Sequence, residues 1–223
     1  MAKPYFRQVP NLDYVSRIKD AKQISNYVQV KNLFKRVKLR PDIYQNTGYF
    51  DQYIIRGNER PDNVAHKVYQ DATLDWVILL SNNILNVQTE WPISQTDFDS
   101  YLIGKYGTYE KLYEIHHYET TEIVNSEGTV LMPSGLIVNS DFSFSYYDEI
   151  TGNQEVASNF LKEVTNYDYE TELENKKREI YVLKPDYLRI VFDDIDRLMP
   201  YKKGSSQYVT ETLKRGDNIR LYS

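Results

Sequence analysis

The chain has 223 residues, and the side chains in it that could move protons or hold a metal are three histidines and 32 aspartates and glutamates; it has no cysteine. Hydrolytic chemistry needs a positioned carboxylate pair or a nucleophile beside a base. With so many acids, chance pairs abound and none stands out. His66 falls in a segment that reads as a helix after Pro61, and His116 and His117 are neighbours in a β-rich stretch. Successive strand residues face opposite ways, so the two neighbours are expected apart, and a shared metal site is not expected. Asp193, Asp194 and Asp196 are oxygen donors of the kind magnesium takes. At spacing i, i+1, i+3 on a helix they do not converge, and a solvated face beside Ile195 and Leu198 is expected instead. Glycine-rich phosphate loops and the GxSxG elbow are absent from the sequence. No catalytic residue, no metal and no cofactor is expected.

Contact chemistry is better represented. Tyrosine occurs 21 times against 8 phenylalanines, and a ring with a polar tip suits sites where one end packs and the other meets water. Residues 1–40 hold ten Lys or Arg against Asp13 and Asp20, a net charge of +8, so a total of −5 leaves −13 on the remainder. A basic arm on an acidic body can dock on an acidic partner. Nucleic acid is not expected as a partner, because the acidic body would repel it. The longest apolar run, Trp76 to Leu80, is far shorter than the roughly 20 residues of a bilayer span, so no membrane is expected. The N-terminus lacks a signal-peptide apolar stretch, and synthesis in the cytoplasm is the expectation.

The elements that would position these groups read as α+β. Residues 1–45 form a basic N-terminal arm, extended to about Asp20, with an amphipathic helix. Val30, Leu33, Phe34 and Val37 fall at i, i+3, i+4, i+7, and Lys31, Lys35, Arg36 and Lys38 fill the other face. A strand at Tyr53–Arg56 stops at Gly57-Asn58. A helix follows from Pro61 with Asp62 in its first turn. A second, apolar nearly all round and therefore buried, runs from an N-cap at Thr73 through Trp76, Leu79 and Leu80 to Asn82-Asn83. Ser94 and Asp97 form a capping-box-like start for a helix ending at Gly104. Residues 111–160 read as a β-rich middle: a hairpin of Tyr113–Val124 with Thr129–Met132, then a strand over Ser140–Tyr147. Residues 161–223 read as helix (Tyr167–Lys177), strand (Arg178–Leu183) and helix (Pro185–Met199, with Leu188, Val191, Ile195 and Leu198 inward), then a loosely held tail after Pro200.

The unit from Tyr53 to Asn83, a strand, an Arg-Pro-Asp helix and a Leu-Asp-Trp helix ending in Asn-Asn, resembles a LysM module, placed at residues 46–110. Tyr53, Ile55, Pro61, Val64, Trp76, Leu79 and Leu80 would form its core. Over three stretches the chain also resembles the smaller wedge protein of the baseplate in T-even-like contractile-tailed phages, including those of cyanobacteria. They are Lys31–Arg36, the run Tyr53–Gly57, Arg60-Pro61, Leu74–Asn83 and Trp91–Ser94, and the run Tyr167–Glu170, Glu174–Ile180 and Leu183–Pro185. This resemblance implies a non-enzymatic virion protein, assembled in the host cytoplasm, that bridges wedge components near the baseplate centre. Its partners would be other wedge proteins, with the sheath-initiating protein as a further one that the resemblance allows. Lys31, Phe34, Lys35, Arg36, Lys38 and Trp91 are the interface candidates. A peptidoglycan-binding LysM module or an associated cell-wall hydrolase is the alternative. Asn58-Glu59-Arg60, where a glycan-binding module commonly has Gly-Asp-Thr, argues against glycan.

Overall fold

The computed structural model describes residues 4–15, 27–125, 127–157, 159–204 and 207–216. The first part of the chain holds helices α1 (Tyr5–Gln8), α2 (Pro41–Tyr44), α3 (Pro61–Tyr69), α4 (Asp75–Ser81) and α5 (Val87–Glu90). Among them lie strands β1 (Asn11–Val15), β2 (Tyr27–Lys31) and β3 (Phe50–Ile54). Next come α6 (Gln95–Tyr106), α7 (Tyr109–Leu112), β4 (Ile115–Thr120), β5 (Ile123–Val124) and β6 (Val130–Met132). They are followed by β7 (Ile137–Val138), β8 (Ser145–Asp148), β9 (Asn153–Val156), β10 (Leu161–Thr165) and α8 (Asn166–Arg178). The described chain ends with β11 (Glu179–Leu183), α9 (Leu188–Leu198), β12 (Tyr208–Thr210) and β13 (Leu213–Arg215). Short helices and several small sheets make the class α+β, as expected. No described helix is long and apolar enough to cross a membrane. The chain divides into two compact units, residues 1–91 with 179–223 and residues 92–178.

In the first unit β3 pairs antiparallel with β11, Phe50 opposite Leu183 and Tyr53 opposite Ile180, so the strand that completes this sheet comes from far along the chain. Pro61 opens α3, where the proline's missing N–H costs nothing, and α3 ends on Gln70 in the left-handed region at φ 58°. The start of α4 differs from the expectation. Thr73 is not its cap: a 3₁₀ turn at Ala72–Leu74 leads into α4, and Asp71 caps that turn, its carboxylate accepting from the Thr73 N–H at 2.9 Å and the Thr73 hydroxyl at 2.7 Å, while α4 itself starts after Leu74 without a side-chain cap. As expected, α4 is buried on most sides, and it feeds two apolar clusters. Trp76, Val77 and Leu80 pack with Leu183, Val191 and Ile195. Ile78 packs with Ile55, Val64, Trp91, Ile180 and Val182.

A four-stranded sheet in the same unit, ordered β12-β13-β1-β2, corrects three expectations. The stretch expected as an extended arm forms α1 and β1 where it is described, and Arg17, Lys19 and Lys22 lie outside the described residues. The helix expected over Val30–Val37 is strand β2 followed by a turn, because Val28 and Val30 pair with Tyr14 and Leu12 of β1. Asn32 then stops the strand, its side-chain oxygen accepting from the Phe34 N–H at 3.2 Å. Four apolar residues at helical spacing lose here to a ladder supplied by another segment, the usual way tertiary pairing overrides local period. The tail after Pro200 is held, since β13 pairs parallel to β1 with Asn11 opposite Leu213. In α9, Val191 and Ile195 face inward as expected, but Leu198 is exposed. Asp194 is only 6% exposed, not on a solvated face, since it shares the helix side of Val191 and Ile195. Two guanidinium groups hold it there: Arg40 Nε at 3.4 Å and an Arg197 terminal nitrogen at 3.0 Å.

In the second unit Ser94 caps α6, accepting from the Asp97 N–H at 3.2 Å and donating to its carboxylate at 2.6 Å. That helix runs past Gly104 to Tyr106 and stops at Gly107, whose φ of 80° a side chain would resist. Phe98, Leu102 and Leu112 form a small core. Two carboxylates of α8 are buried and satisfied. Glu170 receives Lys105 at 2.5 Å and the Tyr106 hydroxyl at 2.9 Å, and Glu174 receives the Ile93 N–H at 2.6 Å and pairs with Lys177. The long hairpin expected for Tyr113–Met132 is broken in two. β4 lies between β10 and β7, and only β5 pairs with β6. The break sits at Thr120, whose buried hydroxyl donates to the Pro133 carbonyl at 2.8 Å and accepts from the Leu136 N–H at 3.1 Å. The strand expected from Ser140 begins only at Ser145, as β8, and turns at Gly152 into β9.

Candidate protein-protein interface

Two of the basic residues singled out by the sequence, Lys35 and Arg36, line an open groove on the first unit, and Lys31 and Lys38 do not. Its volume is about 520 Å³, and its apolar walls include Phe6, Leu33, Trp76 and Leu85, with Arg7, Lys35, Arg36 and Asp75 among them. Lys31 does not face solvent freely: its ammonium donates to the Val9 carbonyl at 2.8 Å. Lys35 donates to the Pro200 carbonyl at 2.9 Å and sits 4.9 Å above the Tyr201 ring. Burial lowers the basicity of Lys35, and the neighbouring Lys214 and Lys202 lower it further. Lys214 lies 5.1 Å from the same ring. A tyrosine face attracts cations with about 0.5–1 kcal/mol at exposed sites. The Tyr201 hydroxyl is fixed in turn, receiving the Asn32 amide at 2.8 Å and donating to the Asn11 carbonyl at 3.1 Å. Arg36 reaches the Asn83 side-chain oxygen at 3.2 Å, and Lys38 is exposed. Phe34 is 97% exposed. The groove thus combines apolar walls with an excess of positive charge.

Trp91 lies elsewhere. It is 5% exposed, inside the cluster of Ile55 and Val64, and its indole N–H donates to the Glu59 carbonyl at 2.8 Å. The Glu59 carboxylate receives the Tyr53 hydroxyl at 2.8 Å and the ammonium of Lys67. Burial alone would raise this carboxyl, but Lys67, Tyr53 and the Arg56 N–H outweigh it and hold it below its ordinary value. Of the residues expected as a LysM-like core, Ile55 and Val64 lie in the Trp91 cluster, with Tyr53 and Leu79 partly buried against it. Trp76 and Leu80 belong to the other cluster, and Pro61 is buried at the start of α3. Phe6, Leu85 and Tyr201 carry no local signal in the sequence. Phe6 and Leu85 sit in polar-looking segments without period, and Tyr201 follows a proline in what reads as a tail.

His116 and His117 do not lie apart on opposite strand faces. The β4–β10 ladder slips between Val164, paired to His117, and Thr165, paired to Ile115, leaving His116 as an extra residue. Such a bulge re-aims a side chain, and here the two Nδ1 atoms come within 2.7 Å of each other. His117 Nε2 is 3.0 Å from Glu119, and the His116 ring stacks on Tyr169 at 4.1 Å. With His117 Nε2–H donating to the carboxylate, its Nδ1 is left to accept from His116 Nδ1–H. Among the described residues no group of three or more His, Cys, Asp or Glu side chains could hold a metal ion.

Exposed apolar surface on a soluble protein often marks a place where another surface packs. The family model described as base plate wedge protein 53 matches residues 6–198. The chain belongs to that family. It is therefore a structural protein of the phage baseplate wedge, located in the virion tail and in contact with other baseplate proteins. No curated protein matches the chain.

Proposed function

We propose that the chain bridges wedge components to one another near the centre of the baseplate, with the groove side of the first unit as a docking surface. The observation that carries this reading is the exposure of Phe6, Leu33, Phe34 and Leu85 beside or in one groove that also holds Arg7, Lys35 and Arg36. Contiguous apolar surface is costly in water, at about 25 cal/mol per Å², and on soluble proteins it marks places where other surfaces pack. The rim charges would orient an acidic partner and speed its approach more than they would add affinity. Other wedge proteins are the partners proposed, together with the sheath-initiating protein.

The strand-helix-helix order of β3, α3 and α4 supports the LysM-like reading of this segment. In this proposal it is a framework and not a lectin, because the Glu59 side chain and carbonyl in the loop before α3 are already used by Tyr53, Lys67, Arg56 and Trp91. A pull-down of the tagged chain from cells co-expressing the wedge proteins of the same phage, with isolated cell wall offered in parallel, tests both parts. Recovery of wedge proteins in fixed ratio without glycan supports the bridge. Recovery of glycan with no wedge protein refutes it.

A further inference from the structure

The two units carry opposite charge. Residues 92–178 hold 16 Asp or Glu against 6 Lys or Arg, a net of −10, so the first unit carries +5 of the total −5. The positive unit has the groove. The negative unit has a hairpin, β8–β9, with matching chemistry. In its register Ser145 lies opposite Val156 and Tyr147 opposite Gln154, so Tyr147 and Val156 share one face. Tyr147 is 65% exposed and Val156 70% exposed, and Ile150 at the turn is 63% exposed. Glu149 stands exposed beside Ile150, and Glu155 is held on the other face by the Tyr146 hydroxyl at 3.2 Å. Both the hairpin's apolar face and the groove's Phe6, Leu33 and Leu85 are thus open to solvent in the single chain.

Resting on the bridging role above, we infer that the occupant of the groove is the β8–β9 hairpin of a second copy of this chain. Ile150 and Tyr147 enter between Leu33 and Leu85, and Glu149 lies toward Arg7 and Arg36. The groove has room for more than one large side chain, and the acid at the tip of the hairpin meets the sign of charge that exceeds in the groove. Asp75, the acid in the groove, is half buried, and burial disfavours its charged form. Each copy would offer one groove and one hairpin, so the contact is head-to-tail. Such contacts pass from copy to copy and close into a ring when the rotation between copies permits.

The absence of cysteine makes the test direct. A chain carrying Leu85→Cys and a second, differently tagged chain carrying Ile150→Cys are co-expressed with the wedge proteins, oxidised mildly and run without reductant. Ile54→Cys, at an exposed site on β3, replaces Leu85→Cys as control. The inference expects a disulfide-linked heterodimer well above the control, reduced several-fold by Arg36→Glu and by high salt. A heterodimer no more abundant than the control overturns it. So does a link that forms only within one chain carrying both cysteines, or a link from Leu85→Cys to another protein. Wedge proteins recovered without the heterodimer refute this inference and leave the bridging role standing. Their loss from the unsubstituted chain as well removes both.

Discussion

Replacing Trp91 by alanine separates a core role from an interface role, because the two demand opposite results. The side chain is buried among Ile55, Val64, Ile180 and Val182, and its N–H satisfies the Glu59 carbonyl. Large-to-small replacement of a buried aromatic costs about 3–5 kcal/mol, and the orphaned carbonyl adds about 1 kcal/mol. Trp91→Ala is therefore expected to destabilise the first unit by about 4 kcal/mol, a large share of the roughly 5–15 kcal/mol of a typical domain. Trp91→Phe keeps a ring, loses the hydrogen bond and part of the packing, and should cost about 1.5 kcal/mol. Urea unfolding followed by circular dichroism measures both, as a shift of midpoint at constant slope. The order Ala much worse than Phe is the expected outcome. A Trp91→Ala protein within about 0.5 kcal/mol of the parent, the range of surface substitutions, that no longer recovers wedge proteins would refute the core assignment and make Trp91 an interface anchor.

Three further outcomes follow from the same structure. Asp194→Ala leaves the Arg40 and Arg197 guanidinium groups without their carboxylate; both are partly exposed, so the cost is set at about 2 kcal/mol, below the 3–5 kcal/mol of a fully buried pair, and a midpoint shift in urea checks it. Ser94→Ala removes the α6 cap and should lower the stability of the second unit by about 1 kcal/mol, with Ser94→Thr recovering most of it. In acid, Glu59, Asp71 and Asp168 are all held below the ordinary carboxylate range, Glu59 by Lys67 and Tyr53 against its burial, Asp71 by Thr73 and Asp168 by Thr165. A depressed carboxyl contributes stability that is complete above its unfolded value, about 4, and lost as pH falls through the folded one. Urea midpoints should thus fall below about pH 4.5, and Glu59→Gln should remove part of that fall; an acid dependence identical to the parent's would refute the assignment.

What the sequence shows of this fold follows the range over which each element is decided. α3, α4, α6 and α8 are legible because Pro61, Ser94 and the apolar or charged spacing of each lie within the element or next to it. β2 is not, because Val28 and Val30 become a strand only when β1 pairs with them. The held tail is not legible for the same reason, since β13 is fixed by Asn11–Asp13 some two hundred residues away. The His116–His117 approach depends on a bulge that no local signal announces. In the candidate interface, the cluster of basic residues is visible as charge. The groove is not, because Phe6, Leu33 and Leu85 come from separate segments that only the fold brings together. Trp91 shows the limit from the other side: beside Pro92 and after a polar loop, nothing nearby in sequence reveals the cluster of strand residues 180 and 182 that buries it.

Electron microscopy of reconstituted wedges shows whether this chain holds baseplate wedge components together, as proposed. Purified wedge proteins of the same phage are mixed with the parent chain, without it, or with an Arg7→Glu, Phe34→Ser, Arg36→Glu variant that keeps the parent's unfolding midpoint. Joined wedges are expected only with the parent chain, and separate ones in the other two mixtures. Equal joining in the absence of the chain would overturn the bridging role.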